Sequence, residues 1–173
     1  MHYILVGPSG SGKSVTAPKL AAKLGILHID TDVAIEEQRR LAIPAIFKLE
    51  GEDAFRRLEE SVIRNILSHT EPAVIATGGG LPTIPGLMAY LNSHATTIYL
   101  KASIDVLWDR VTMEEDGLLK RPLLQKGGRT ALTDMVDRRE PIYNKSRCII
   151  ETDELEPDEI VAVICNRLKL VTE

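Results

Sequence analysis

Eight residues near the start of the chain, Gly7-Pro8-Ser9-Gly10-Ser11-Gly12-Lys13-Ser14, read G-x-x-x-x-G-K-S. That spacing is a phosphate-cradling loop for a nucleoside triphosphate. Its glycines permit backbone angles at which successive N–H groups point into one concavity. Lys13 is placed to reach the β- and γ-phosphates and the Ser14 hydroxyl to ligate Mg²⁺. The triphosphate site is therefore expected over Gly10, Ser11, Gly12, Lys13, Ser14 and Val15. GTPases, ATPases and small-molecule kinases all use such a loop, so other residues must choose among them.

Four further groups have chemical potential. Asp30-Thr31-Asp32 sets two carboxylates two residues apart. One would hold water on Mg²⁺, which prefers to keep several waters, and the other would take a hydrogen bond from an attacking hydroxyl. The competing role is helix capping, at which Asp excels. Arg56 and Glu59, three apart, are neighbours on a helix surface. Glu59 would fix the Arg56 guanidinium for bidentate recognition of a carboxylate, or the two would form an ordinary exposed ion pair of little energetic weight. Gly78-Gly79-Gly80 lets backbone approach a ligand closely and offers N–H donors. In Arg138-Arg139-Glu140-Pro141-Ile142-Tyr143, Arg139 is a candidate second clamp, against the plainer reading of a solvated charge run.

The elements that must position these groups alternate between β and α. Apolar runs predict strands at 2–6, 26–30, 73–77, 97–100 and 148–150. Helical patterning predicts helices after the loop and over about 32–39, 43–49, 52–68, 103–112 and 157–168, with Pro18 slightly kinking the first. Such alternation implies one α/β domain spanning residues 1–173: five parallel strands with helices on both faces, ligands sitting at the carboxyl ends of the strands. Three of the candidate groups directly follow strands one, two and three. Residues 114–128 lack sustained periodicity and carry glycines at both ends, which predicts a mobile lid.

Composition narrows the partners. With 173 residues, 44% hydrophobic and 27% charged, the chain is sized for one domain with a sizeable core. A net charge of −4 and 4% aromatic content disfavour nucleic-acid binding. No apolar run reaches membrane-spanning length. The first strand begins almost at Met1, which leaves no room for a signal segment and makes the cytosol the expected compartment. Cys148 and Cys165 are then expected to be reduced. No helix shows a spare apolar stripe, so a monomer is expected.

Taken together, GPSGSGKS, the DTD at Asp30–Asp32, GEDAFRRLE at Gly51–Glu59, ATGGG at Ala76–Gly80, RPLL at Arg121–Leu124 and RREPIY at Arg138–Tyr143 resemble shikimate kinase, nearly end to end and in that family's order. The resemblance implies a P-loop kinase fold with strand order 2-3-1-4-5. It implies MgATP-dependent phosphorylation of the shikimate 3-hydroxyl on the route to aromatic amino acids. It assigns Asp32 to the substrate hydroxyls, Asp30 to water-mediated support of Mg²⁺, and Arg56 and Arg139 to the carboxylate, with Glu59 orienting Arg56. Gly78, Gly79 and Gly80 would face shikimate. Arg121, on the lid, would join Lys13 over the ATP phosphates. Members of the family often carry an arginine before the lid that packs on adenine. Here Met113-Glu114-Glu115-Asp116 is acidic, and Arg110 stands earlier.

Three rivals follow from the same residues, and the presence of every presumed catalytic residue argues against one of them, a relative that only binds nucleotide. A related small-metabolite kinase, for gluconate or a nucleoside monophosphate, would need a different acceptor pocket. A GTPase-type switch would need N-K-x-D, and Asn144-Lys145-Ser146-Arg147 lacks the aspartate.

Overall fold

A computed structural model describes residues 1–114, 117 and 122–170, the side chains of Pro122 and Leu123 aside. Its strands are β1 (His2–Val6), β2 (Leu27–Asp30), β3 (Ala73–Ala76), β4 (Ala95–Lys101) and β5 (Cys148–Glu151). They form one sheet in the order β2-β3-β1-β4-β5, every neighbour pair parallel. The helices are α1 (Lys13–Leu24), α2 (Thr31–Arg39), α3 (Ile43–Glu50), α4 (Glu52–Ser68), α5 (Leu87–His94), α6 (Ile104–Met113), α7 (Pro122–Tyr143) and α8 (Pro157–Leu168), with a 3-10 turn at Leu81–Thr83.

Alternation along each strand feeds two separate cores. Ile4 and Val6 of β1, with Ile75 and Tyr99, pack against Phe55, Val62, Ile63 and Leu91 from α4 and α5. Leu5, between them, faces the opposite layer with Val74, Ile98 and Ile150 against Leu20 of α1 and Ile160 and Ile164 of α8. A sheet buried on both faces reads as near-continuous apolar runs, which is why the strand boundaries were readable from sequence to within two residues.

Register explains how distant segments meet. Leu5 pairs with Ala76, and Ala76 pairs with Asp30. The loop beginning at Gly7, the turn into α2, and the glycines after β3 therefore leave the same sheet edge at the same height. Pro18 sits within α1, which runs through it without interruption.

Two differences from the sequence reading stand out. Short α5 follows a Pro- and Gly-rich stretch that hides it; packing of Leu87, Met88 and Leu91 into the first core holds it. Of the segment 114–128 expected as a lid, residues 115–116 and 118–121 lie outside the described residues, and 122–128 belong to α7, which starts at Pro122. Leu124 is buried with Leu107, Val111, Leu132 and Val136, a tertiary contact that no local period announces. The helix breaks at Gly128, whose φ of 59° and ψ of −150° suit glycine.

Candidate active site

The triphosphate side is built almost wholly from contiguous backbone. Gly12 adopts a left-handed conformation (φ 92°) that ends the loop and starts α1. At Gly10 a β-carbon would lie 2.8 Å from the Leu107 carbonyl oxygen, so this loop can nest against α6 only without a side chain. Lys13 is buried, and its Nζ donates to the carbonyls of Gly7 and Pro8 (2.8 Å each) and to Ser11 Oγ (3.3 Å). The ammonium is thus seated on the loop it must serve. Gly10, Gly12, Lys13, Ser14 and Val15 line a cleft of about 1,080 Å³ together with Asp30, Asp32, Glu36 and Thr77. Arg110, Glu114, Leu155, Glu156 and Pro157 line it as well. Sequence reasoning looked for a base contact just before the lid. The structure brings Arg110 to the cleft instead, its guanidinium donating to the Thr152 carbonyl (2.7 Å) and Oγ1 (3.3 Å).

Asp30 and Asp32 divide their work, and the cap falls on Asp30. Its Oδ1 accepts from the N–H groups of Asp32 (2.9 Å) and Val33 (3.4 Å), closing the N-terminus of α2. Asp32, in the first turn, is left to face both chambers. Burial raises its pKa to about 6, with Asp30 adding to the rise while Lys13 and Arg56 oppose it.

The acceptor side is a cavity of about 190 Å³, and side chains from α2, α3, α4 and α7 build it. Arg56 Nη1 donates to Glu59 Oε2 at 2.5 Å, and Nη2 to Glu52 at 3.1 Å. Glu59 is only 1% exposed, which separates this pair from an ordinary surface ion pair. Burial raises the Glu59 pKa, and the Arg56 charge and hydrogen bond work against that rise. Arg139 lies across the cavity from α7, and its charge reaches Glu59 as well. Apolar contacts come from Ile43, Phe47, Phe55, Leu124 and Met135.

The three glycines are the floor of this chamber. A β-carbon at Gly78 would meet Asp32 Oδ1 at 2.6 Å and Glu59 Oε1 at 2.9 Å. One at Gly80 would collide with the Arg56 guanidinium, and one at Gly79 would touch Arg139 Nη1 at 3.5 Å. The bare turn is what allows two carboxylates and two guanidiniums to converge. Its backbone is held from outside: Gly78 N–H donates to Thr31 Oγ1 (3.1 Å), Tyr143 Oη donates to the Gly79 carbonyl (2.6 Å), and Thr83 Oγ1 donates to the Gly80 carbonyl (2.6 Å). Sequence reasoning missed Thr31 and Tyr143, and no periodicity marks either.

The two chambers share a wall. Ser9, Asp32, Ile43, Gly78 and Gly79 line both. One aspartate, Asp32, therefore faces both cavities. Arg121, expected over the phosphates, lies outside the described residues.

Residues 9–169 match the family model for shikimate kinase. The chain belongs to the shikimate kinase family. Among curated relatives named shikimate kinase, that of Pseudomonas paraeruginosa is 36% identical over 171 residues, covering 98% of this chain and 96% of its own. That of Histophilus somni is 37% identical over 172 residues, with 95% of each covered. Among solved structures, shikimate kinase from Bacteroides thetaiotaomicron aligns with a TM-score of 0.89 at 30% identity, covering 98% of this chain and 99% of that one. Shikimate kinase from Acinetobacter baumannii, solved in complex with shikimate, aligns with a TM-score of 0.88 at 31% identity, covering 97% and 93%. The strand order and parallel sheet are those of a P-loop kinase fold. Family membership makes the chain an ATP-dependent transferase that phosphorylates shikimate, in aromatic amino acid biosynthesis. Among the described residues no helix is long and apolar enough to cross a membrane.

Proposed function

We propose that the 190 Å³ cavity is the shikimate chamber and the larger cleft the ATP chamber of one single-domain kinase, with transfer occurring at their shared wall. The observation that carries this reading is the convergence of Asp32, Arg56, Glu59 and Arg139 on three glycines beside the phosphate loop. Arg56 and Arg139 bind the shikimate carboxylate from two sides, and Glu59 keeps Arg56 in the rotamer that does so. Gly78, Gly79 and Gly80 give close backbone contact to the ring and its hydroxyls.

Asp32 accepts the hydrogen bond of the 3-hydroxyl. Above pH 6 its carboxylate is ionised and competent to take that proton as the new O–P bond forms and ADP leaves. The backbone amides of Gly10, Ser11, Gly12, Ser14 and Val15, with Lys13, hold the triphosphate and balance its charge. Arg121 is assigned on the family pattern alone to the transferred phosphate, and Arg121→Ala is expected to lower kcat far more than shikimate affinity.

The donor set fits Mg²⁺: the Ser14 hydroxyl and the Asp30 and Asp32 carboxylates, all hard oxygen donors, line the same cleft. Ser14 would hold the ion directly and Asp30 through water. When bound, the ion draws charge from the transferred phosphoryl group. The working form is proposed to be a monomer, since the described elements assemble both chambers within one chain. It is placed in the cytosol, where its phosphoryl donor is found.

The test offers MgATP with shikimate, gluconate or AMP and follows ADP release. Turnover with shikimate alone is expected. Turnover with gluconate or AMP and none with shikimate overturns the chamber assignment.

A further inference from the structure

Tyr143 ends α7 behind the floor of the shikimate chamber. It is fully buried, its ring packed on Tyr99 with centroids 5.1 Å apart, and it does not line the cavity. Its hydroxyl nonetheless donates to the Gly79 carbonyl at 2.6 Å, a short and strong contact. One helical turn earlier on the same helix, the Arg139 charge acts on the same hydroxyl, and Arg139 Nη1 stands beside Gly79, 3.5 Å from where a β-carbon would lie. A single buried oxygen therefore holds the backbone of the glycine turn against which the carboxylate clamp rests.

The consequence follows from peptide geometry. In a planar trans peptide the C=O and the next N–H point in opposite directions. Fixing the Gly79 carbonyl on Tyr143 thus fixes the direction of the Gly80 N–H, which has no acceptor among the described residues. Gly80 and Arg139 both line the chamber. Without the hydroxyl, the Gly79 carbonyl would be left unsatisfied, and a two-glycine peptide has little intrinsic resistance to rotation.

We propose that Tyr143 is a positioning residue for shikimate: from behind the wall it aligns the Arg139 guanidinium and the Gly79–Gly80 peptide as one unit. This rests on the chamber assignment above. It also explains why a tyrosine, not a phenylalanine, stands where α7 meets the glycine turn. A ring alone would fill the core. Only the hydroxyl can donate to the carbonyl while turning its oxygen's lone pairs toward the arginine's charge.

The experiment is Tyr143→Phe, which keeps the ring, measured beside Arg139→Ala and the double variant. Loss of a buried hydrogen bond is expected to raise the shikimate KM about tenfold. The ATP KM should stay within about twofold and kcat should change little, since the residue faces one chamber only. In the double variant the tyrosine change should add much less than its single effect, because its partner is gone. Replacing Tyr143 with 4-aminophenylalanine, which restores an N–H donor, should recover most of the shikimate affinity. Replacing it with 4-fluorophenylalanine, which fills the hydroxyl's space but donates nothing, should not, and this pair decides the matter if the phenylalanine variant folds poorly.

An unchanged shikimate KM in Tyr143→Phe, with Arg139→Ala still impaired, overturns the tyrosine's role alone. Equal rises in both substrates' KM, or full additivity in the double variant, reduce it to a core residue and overturn the proposal. If Arg139→Ala is itself silent, the chamber assignment falls first.

Discussion

The two chambers meet at one wall but are made in different ways. The cleft proposed for ATP is lined on one side by a near-continuous stretch, Ser9, Gly10 and residues 12–16, whose placement needs only glycines and a helix start. The cavity proposed for shikimate draws Asp32, Arg56, Glu59 and Arg139 from three helices, and its charged groups are side chains. Contiguity makes the first a general phosphate holder, indifferent to what is phosphorylated. Assembly from afar makes the second selective, because each part has its own tertiary support.

If that contrast holds, substitutions on the two sides should fail in different currencies. The largest effect is expected for Lys13→Ala. Removing the ammonium should lower kcat by about a thousandfold or more while shikimate binding, measured by calorimetry without nucleotide, stays near native. Arg56→Ala and Arg139→Ala should do the reverse. Each strips a charged hydrogen-bond partner and should raise the shikimate KM about a hundredfold with the ATP KM nearly unchanged. Should either arginine variant disturb ATP as much as shikimate, the division would be false. Gly80→Ala sharpens the point: its methyl takes the place of the Arg56 guanidinium, so about a tenfold rise in shikimate KM is expected, by displacement of the clamp and not by direct contact.

Asp32 belongs to both sides and supplies a pH test. Its pKa is raised to about 6, above the usual carboxylate value, so it binds a proton at pH values where the unfolded chain has released one. Two consequences follow. The kcat/KM for shikimate should fall as pH drops through about 6, as the proton acceptor is neutralised. Its contribution to stability has the opposite sense: the favourable protonated form is lost as pH rises from about 4 to 6, leaving a buried charge at neutral pH. Asp32→Asn should therefore abolish turnover yet raise the melting temperature of the nucleotide-free protein at pH 7.5 by a few degrees, roughly 2–4 °C. A melting temperature that falls instead would show the ionised aspartate to be stabilising where it sits.

The same division decides what could be read from the chain. The phosphate loop was legible because its function resides in consecutive residues. The inner strands were legible because two-sided burial writes itself as short apolar runs, Ile4-Leu5-Val6 and Ala73-Val74-Ile75-Ala76 above all. On the other side, Arg56 and Glu59 taken alone were indistinguishable from a surface pair, and only the burial of Glu59 by α4's packing separates the two. Capping, the competing role weighed for Asp32, falls on Asp30 two residues earlier, a choice that sequence does not resolve. Thr31 and Tyr143 were invisible because their value lies in single hydrogen bonds to backbone 47 and 64 residues away. Arg110 stood too early in the sequence to be chosen, and its place beside the larger cleft is fixed by Thr152 of the segment following β5.

Ser9, Asp32, Ile43, Gly78 and Gly79 face both cavities. A β-carbon at position 78 would press on Asp32 Oδ1 and Glu59 Oε1, and one at 79 would touch Arg139 Nη1. Enlarging either glycine is therefore expected to disturb donor and acceptor together, so this stretch has the least room for change in the molecule's proposed chemistry.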